Sequence, residues 1–333
     1  MSETRKPDPE TFLNHLDGIQ WDDVSDIAVA VSGGPDSMAL LGLLVNSPYT
    51  FQLHALIVDH GLREEAAAEA ERVREQIESW PRVSAHILQW AGEKPDAAVQ
   101  EEARNARYGL MAEYCRAHRV RYLFLGHHQD DQAETVLFRL AKGSGLDGLA
   151  GMRPVQVYDD AVSLVRPLLD VPKSALIEMC EAHGVGYVED PSNANEQYAR
   201  VRLRQSADIL AEEGLSAKRL ANTAKRINRA REALDFLAEK AQKDCVLVSD
   251  TKRIEYNYKL LRDYPDEVVL RCVMAAFVHF NPDADYAPRM EKVEALLNDL
   301  ISEESFRKRT LGGVVFERDD ENQRLILAAE ERA

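Results

Sequence analysis

The sequence predicts an α/β protein in which a doubly wound, mostly parallel sheet with helices on both faces is followed by a smaller, mainly helical domain. In the first half of the chain, apolar runs of strand length alternate with longer amphipathic or alanine-rich stretches, which is the pattern of a parallel sheet with crossover helices. From residue 216 the composition becomes that of a long helix. The chain has 333 residues, whereas single cores stop growing beyond roughly 250 to 300 residues. We therefore expect two domains, 1–214 and 215–333.

Four apolar runs are the predicted strands of the sheet. They span residues 27–31, 53–58, 83–88 and 122–125. Ligands of open parallel sheets bind at the carboxyl ends of the strands, so the residues that follow each run are the candidates for chemistry. Those residues are unusually polar, which predicts a binding site at this edge of the sheet.

The second domain is predicted to begin with a helix over residues 216–243. Apolar side chains recur there at steps of three and four residues, as expected for a helix with one buried face. A helical region then reaches residue 300, and the apolar segments 313–316 and 325–327 flank a turn-rich segment at 318–322. This last pattern predicts a closing β-hairpin.

Composition argues against several classes of protein. The first ten residues carry charge and proline, and no run of about 18 apolar residues follows, so we expect neither secretion nor a membrane span. The four cysteines are far apart and form no C-x-x-C pair, which argues against a zinc ribbon, an iron–sulfur site and a disulfide framework. A cytoplasmic location fits these observations.

Charge is distributed unevenly along the chain. The formal net charge is −16, yet residues 200–231 hold nine basic and three acidic side chains. This basic window can follow a nucleic-acid backbone while the acidic remainder repels non-specific binding. A solvated helix face explains the same composition, and composition alone does not separate the two interpretations.

A candidate phosphate-binding loop lies between the first predicted strand and the helix after it, with the sequence Ser32-Gly33-Gly34-Pro35-Asp36-Ser37. Two glycines let the backbone approach a phosphate, and the N–H groups at a helix N-terminus favour an anion. The serines add hydroxyl donors, while Asp36 can hold Mg²⁺ or position a substrate. No lysine follows Gly34, so a Walker loop that handles a γ-phosphate is not indicated. A tight turn without a ligand is the alternative.

The segment after the fourth predicted strand is also rich in polar residues and reads Gly126-His127-His128-Gln129-Asp130-Asp131-Gln132-Ala133-Glu134-Thr135. In a helix, Asp131 and Glu134 stand one turn apart and present two carboxylates on one face, which suits a cationic amine. Helix capping is the alternative for these acidic residues, and a metal site is a rival for the His/Asp cluster. Arg104 and Arg107 also lie one turn apart, where they can meet a phosphate or form a surface ion-pair face.

Seven segments taken together resemble the bacterial tRNA(Ile)-lysidine synthetases, and they occur in that family's order. The segments are residues 32–37, 58–63, 103–108, 126–135, 143–152, 166–169 and 189–193. They belong to a region of roughly residues 27–204. Their combination is far more specific than any one of them.

The resemblance implies an enzyme that ligates lysine to carbon 2 of the wobble cytidine of tRNA(Ile) with a CAU anticodon. ATP adenylates the carbonyl oxygen at that carbon, and the lysine ε-amine then displaces AMP, so that lysidine, AMP and pyrophosphate are formed. The implied cofactors are ATP and Mg²⁺, and the implied partners are tRNA(Ile) and L-lysine, without a membrane. A homodimer is left open. The implied sheet domain is adenine-nucleotide α-hydrolase-like.

The resemblance also implies roles for individual residues. The candidate catalytic residues are Asp36, Arg107, His128 and Asp131. The candidate ATP-binding residues are Ser32, Gly33, Gly34, Pro35, Asp36, Ser37 and His60, with Asp36 also on Mg²⁺. Asp131 and Glu134 would hold the lysine ammonium. The residues expected toward the tRNA are Asp190, Asn193, Arg200 and Arg204, and the basic window adds Arg226 and Arg229.

Two departures from the family pattern are visible. Arg200 is followed by Val201 where the family commonly has asparagine, which removes an asparagine contact there. We also expect a short form that lacks the extra C-terminal domain of longer members.

Other ATP-pyrophosphatases are the alternatives. The missing C-x-x-C pair counts against a tRNA thiolase, and no glutaminase domain fits before Asp26 for a small-molecule amide synthetase. A catalytically silent tRNA- or nucleotide-binding module is the alternative from a different class.

Overall fold

The computed structural model describes residues 7–14, 16, 19–59, 61, 66–90, 99–188, 203–281, 288–302 and 306–330, with the backbone alone at 99–101 and 103. The chain divides into two compact units, Met1–Asn228 and Arg229–Ala333. The second unit has a hydrophobic cluster of its own, separate from the clusters that pack on the sheet of the first.

A six-stranded sheet is the centre of the first unit. Its strands are β1 Asp26–Ala30, β2 Gln52–Asp59, β3 Val83–Gln89, β4 Tyr122–Phe124, β5 Val155–Val157 and β6 Ser163–Val165. The strand order is β3-β2-β1-β4-β6-β5, and all neighbours are parallel except β5 and β6. The four predicted strands and the mostly parallel sheet are confirmed. Because β1 and β4 are adjacent, the segments that follow them meet at one edge of the sheet.

Helices cover both faces of this sheet. The described helices up to residue 212 are α1 Pro35–Val45, α2 Ala66–Ile77, α3 Val99–Ala117, α4 Gln129–Ala141, α5 Leu146–Leu149, α6 Lys173–Ala182 and α7 Ala207–Glu212. Successive side chains of a strand point to opposite faces. Accordingly, Ile27 and Val29 pack in a cluster with α1 and α6, whereas Ala28 packs with Met111 and Cys115 of α3. The doubly wound arrangement of the prediction is thus confirmed.

The second unit combines helices with a separate antiparallel sheet. The 29-residue helix α8, Ala217–Cys245, contains the boundary between the units, and the later helices are α9 Tyr258–Leu261, α10 Asp266–Phe280 and α11 Met290–Ser302. The strands are β7 Val246–Ser249, β8 Arg253–Asn257, β9 Arg309–Leu311, β10 Val314–Asp319 and β11 Arg324–Ala329. The predicted hairpin is β10 and β11, and the sheet order is β7-β8-β11-β10-β9.

The state of the four cysteines bears on the chemistry that this protein can perform. All four cysteines are free and buried. Burial raises the pKa of Cys115 and Cys272 to about 12 and that of Cys180 to about 11, and it also raises the pKa of Cys245. Since the thiolate is the reactive form, these thiols are not poised for nucleophilic chemistry.

Within the described ranges, every helix is too short or too polar to cross a bilayer.

Candidate active site

The loop after β1 is closed by its own serines. The Ser32 N–H donates to Ser37 Oγ at 3.1 Å, and the Ser37 hydroxyl donates to the Gly34 carbonyl at 3.0 Å. Gly33 has φ +81°, and a Cβ there would lie 2.5 Å from a methyl group of Val73. Gly34 precedes Pro35, which is the first residue of α1 and has no N–H to satisfy. The predicted strand–loop–helix arrangement therefore presents a helix N-terminus with its partial positive charge.

Gly126, two residues beyond β4, lies against the backbone of this loop. A Cβ at residue 126 would be 3.0 Å from the carbonyl carbon and oxygen of Asp36 and 3.1 Å from the Ser37 nitrogen. These three neighbours are backbone atoms, which cannot rotate away as a side chain can. A glycine at this position thus lets the segment after β4 approach the loop directly.

His128 lies between three carboxylates. Its Nε2 is 3.5 Å from Asp36 Oδ2 and 3.4 Å from Asp131 Oδ2, and its Nδ1 is 3.5 Å from Asp130 Oδ2. The residue is only 3% exposed. Burial disfavours the charged ring, but hydrogen bonds to Asp130 and Asp36 and the charge of Asp131 outweigh it and raise the pKa of His128 to about 10. At neutral pH the ring is therefore a cation among carboxylates.

The same residues begin helix α4. The His128 N–H donates to Asp131 Oδ2 at 3.1 Å, and the Asp130 N–H donates to Nδ1 of the neutral His128 ring at 3.2 Å. Asp130 Oδ2 lies 3.5 Å from the same nitrogen, so a protonated Nδ1 has this carboxylate as its nearby acceptor. The other partner of Asp130 is the Lys173 N–H at 2.9 Å, which joins α4 to the start of α6. Asp131 thus caps the helix and also faces the loop, so capping and a functional role are compatible.

Glu134, one turn further along α4, is held by an arginine of the chain itself. Arg204, in the helical residues 203–205, directs Nε and Nη2 at the two carboxylate oxygens of Glu134, with Nη2 at 3.1 Å from Oε2. Its Nη2 is also 3.6 Å from Asp131 Oδ1. Glu134 is 7% exposed. The two carboxylates thus share one guanidinium, which sequence reasoning had assigned to the tRNA.

Arg107 lies on α3 with an exposed side chain, and its Cζ is 5.6 Å from the ring centroid of Tyr108. The charge of Arg107 acts on His127, the neighbour of His128. Burial, followed by the charges of Arg166, Arg104 and Arg107, holds the pKa of His127 well below its ordinary value. His127 is therefore neutral, in contrast to His128.

The remaining predicted residues fall into two groups. Arg226 and Arg229 are exposed and lie one turn apart on α8, and the neighbouring Lys225 pairs with Asp170 at 2.5 Å. The other group lies outside the described residues and consists of His60, Asp190, Asn193 and Arg200.

Asp36 is the residue that fits a divalent cation. Its Oδ1 is buried and has no hydrogen-bond partner among the described residues. No cluster of three or more His, Cys, Asp or Glu side chains in that part of the chain could hold a metal ion. A single carboxylate completed by phosphates and water suits Mg²⁺, which keeps much of its hydration in proteins.

The chain is similar to known proteins over most of its length. The family described as the PP-loop domain matches residues 9–209. The tRNA(Ile)-lysidine synthase of Methylobacterium nodulans is 39% identical over 309 residues, which cover 89% of this chain and 88% of that protein. The tRNA(Ile)-lysidine synthase of Rhodopseudomonas palustris is 36% identical over 309 residues, with the same two shares.

A solved structure shares the fold. It is a U34-tRNA thiolase of Methanococcus maripaludis with a [4Fe-4S] cluster, with a TM-score of 0.55 at 18% identity over 67% of this chain and 77% of that one. This likeness concerns the fold alone, whereas the family assignment depends on the sequence relatives and on the matched domain. The chain belongs to the tRNA(Ile)-lysidine synthase family of PP-loop proteins.

Proposed function

We propose that this protein ligates L-lysine to carbon 2 of the wobble cytidine of tRNA(Ile) with a CAU anticodon and consumes ATP to AMP and pyrophosphate. One observation carries the proposal: the phosphate-type loop and the carboxylate pair of α4 meet at His128, whose Nε2 lies 3.5 Å from Asp36 and 3.4 Å from Asp131. A nucleotide and a cationic amine can therefore be bound side by side. The relatives named tRNA(Ile)-lysidine synthase support the same reaction.

The ATP end of the site is the loop after β1. The N-terminus of α1 and the Ser32 hydroxyl offer donors to phosphate oxygens, and the Ser37 hydroxyl would join them by leaving the Gly34 carbonyl. Asp36 would hold Mg²⁺, which neutralises charge on the phosphates during transfer of AMP. Adenylation converts the carbonyl oxygen of cytidine into part of a phosphate ester, so that AMP can leave when the amine attacks.

The lysine end is the pair Asp131 and Glu134. Both carboxylates face one cation, the guanidinium of Arg204. An ammonium group would replace this guanidinium on Glu134, because a carboxylate pair of this size satisfies one buried cation at a time. The lysine then lies near Asp36, because Asp36 and Asp131 both approach Nε2 of His128.

The amine must lose its proton before it attacks. Asp36 is suited to accept it once pyrophosphate has left, because its Oδ1, which has no partner in the described part of the chain, is then no longer needed for the metal. The charged His128 ring orients Asp36 and Asp131 and limits the repulsion between them. No enzyme nucleophile is needed, since the adenylate already supplies a leaving group.

We propose that tRNA contacts come from the exposed basic face of α8, with Arg226 and Arg229, and from Arg107 near the reacting nucleotide. We also propose Asp190, Asn193 and Arg200 for tRNA contacts, because they belong to the same family pattern. The protein would act in the cytoplasm, where its substrate tRNA is found. A tRNA thiolase is less well supported, because each of the four cysteines is buried and has a raised pKa.

The test is incorporation of labelled lysine into purified tRNA(Ile) with a CAU anticodon, with release of AMP and pyrophosphate measured in parallel. A methionine tRNA, which has the same anticodon letters, is the matched control. We expect label in tRNA(Ile), little in the methionine tRNA, and one AMP for each lysine. Incorporation into both tRNAs, or into neither, would contradict the proposal.

A further inference from the structure

Three arginines converge on one tyrosine beside the proposed active site. The Cζ atoms of Arg104 and Arg107 lie 5.1 and 5.6 Å from the ring centroid of Tyr108. Arg104 Nη2 donates to the Tyr108 hydroxyl at 3.3 Å, and Tyr108 also acts electrostatically on the guanidinium groups of Arg107 and Arg166. Arg104 and Arg107 come from α3, and Arg166 follows the carboxyl end of β6. The three residues are called the arginine triad below.

The triad has no counter-charge among the described residues, since no carboxylate there pairs with any of the three guanidinium groups. Arg166 is 4% exposed, and its Nε is buried without a hydrogen-bond partner in that part of the chain. Its Nη1 donates to the Arg153 carbonyl at 3.0 Å. His127 adds no negative charge, and its buried Nδ1 is likewise without a partner. The three guanidinium groups thus lie near one tyrosine without a carboxylate partner among the described residues.

Two other well-buried arginines of this chain are paired with acids. Arg318 binds Asp320 with two nitrogens, and Arg271 contacts both Asp235 and Glu267. Burying unpaired charge is costly, and clustering like charges adds repulsion. Arg166, the buried member of the triad, therefore differs from these two arginines, and an anionic ligand would supply the counter-charge that the described residues lack.

We propose that the arginine triad, with Tyr108, is a phosphate-binding site separate from the loop at Ser32–Ser37. Planar guanidinium groups bind phosphate oxygens in pairs, and the Nε–H of Arg166 is a donor that has no partner among the described residues. Arg166 follows β6 and His127 follows β4, so the site lies at the carboxyl edge of the sheet. The phosphate belongs either to the polyphosphate of ATP or to a phosphodiester of the RNA. The choice of these two ligands rests on the proposed function, whereas the phosphate site itself rests on the geometry of the triad.

The experiment measures binding without catalysis, by titration calorimetry on the full chain. The probes are inorganic pyrophosphate and an anticodon stem-loop RNA, each without lysine. The variants are Arg104→Gln, which is partly exposed, and Arg166→Lys, which keeps the charge but loses the planar fork. Arg116→Gln is the control, because Arg116 is on the same helix, is exposed and pairs with Asp159. Thermal melts identify any variant that fails to fold, and Arg104→Gln then decides alone.

A hydrogen bond to a charged group contributes about 1.5–3 kcal/mol, so each variant is expected to weaken its ligand by roughly 10- to 100-fold. Loss of pyrophosphate affinity assigns the site to the polyphosphate, and loss of RNA affinity alone assigns it to the backbone. Unchanged affinity for both probes, or an equal loss in Arg116→Gln, overturns the site. Failure of lysine incorporation leaves these binding results intact, so the two proposals fail separately.

Discussion

The guanidinium of Arg204 binds both carboxylate oxygens of Glu134, although the two residues are 70 positions apart in the chain. Glu134 is also the carboxylate that we propose for the lysine ammonium. The pair therefore places an internal cation in the substrate's position, and lysine has to displace it. Arg200, which we propose for tRNA, is four positions before Arg204 in the chain. We therefore expect tRNA binding to accompany displacement of Arg204.

Competition between Arg204 and lysine can be measured in steady-state kinetics. We expect Arg204→Gln to lower the KM for lysine several-fold and to raise the KM for tRNA, because the internal competitor and a tRNA contact are both lost. Glu134→Gln should raise the KM for lysine by about 10- to 100-fold, since a charge-assisted contact is removed. Glu181→Gln, an exposed change on α6, is the control. A rise in the lysine KM in Arg204→Gln would show that Arg204 positions the carboxylate and does not compete.

A second prediction concerns the close approach of Gly126 to the loop. Gly126→Ala places a methyl group 3.0 Å from the Asp36 backbone, so the loop has to shift. We expect the KM for ATP to rise about tenfold, as expected for one weakened charge-assisted contact. Gly109→Ala is a matched control, because a Cβ there meets nothing within 4 Å and alanine in a helix is favoured by about 0.5–1 kcal/mol. Equal ATP kinetics in the two variants would mean that the contact does not position the loop.

Local sequence patterns were sufficient for much of the fold and for part of the site. The strands of the first sheet show as apolar runs because both faces of a parallel sheet are buried. The i, i+3 spacing placed Asp131 and Glu134 on one face of α4, where the structure has them. The loop was recognisable because its glycines and serines are consecutive. Each of these features depends on residues that are close together in the chain.

Features that depend on distant residues were not predicted. The contact between Arg204 and Glu134 and the convergence of Arg166 with Arg104 are set by the fold. The first two strands of the second sheet, β7 and β8, were not predicted either. Strand β7 begins at Val246, directly after α8 ends at Cys245, and no glycine or proline marks the change. Its length of four residues is too short for a clear alternating pattern.

A third prediction is loss of stability at alkaline pH through His128. The pKa of His128 is about 10 in the folded protein, whereas the ordinary value for histidine is 6.5, so the folded state binds the proton more tightly. This contribution is complete below pH 6.5 and is lost as the pH rises toward 10. Urea unfolding at pH 6, 8 and 10 should show that His128→Gln is most destabilising at pH 6. A difference between variant and parent that does not change with pH would rule out this linkage.

A fourth prediction concerns acid pH and His86 on β3. Burial, followed by the charges of His54 and His118, lowers the pKa of His86, and Tyr114 packs on the same ring at 4.9 Å. The unfolded chain therefore binds the proton more tightly, and stability falls as the pH drops below 6.5. His54 is also close to Asp26, at 3.2 Å. Between pH 7 and 5, the free energy of unfolding should fall less in His86→Phe than in the parent protein.

His183→Gln is the control for the fall in stability between pH 7 and 5, because His183 is exposed at the end of α6. Its pH dependence should equal that of the parent protein. If the free energy of unfolding falls equally between pH 7 and 5 in His86→Phe and in the parent protein, groups other than His86 cause the loss of stability.

The last prediction tests the basic face of α8. If Arg226 and Arg229 contact phosphates, the double change Arg226→Glu with Arg229→Glu weakens tRNA binding and flattens its salt dependence. Each lost contact lowers the slope of log K against log salt by about 0.7 to 0.9. Lys240→Glu with Lys243→Glu is the control, because these lysines are exposed on the same helix at the same spacing, and the charge change is identical. Equal slopes in the two double variants would mean that net charge alone acts, and that Arg226 and Arg229 belong to a solvated helix face.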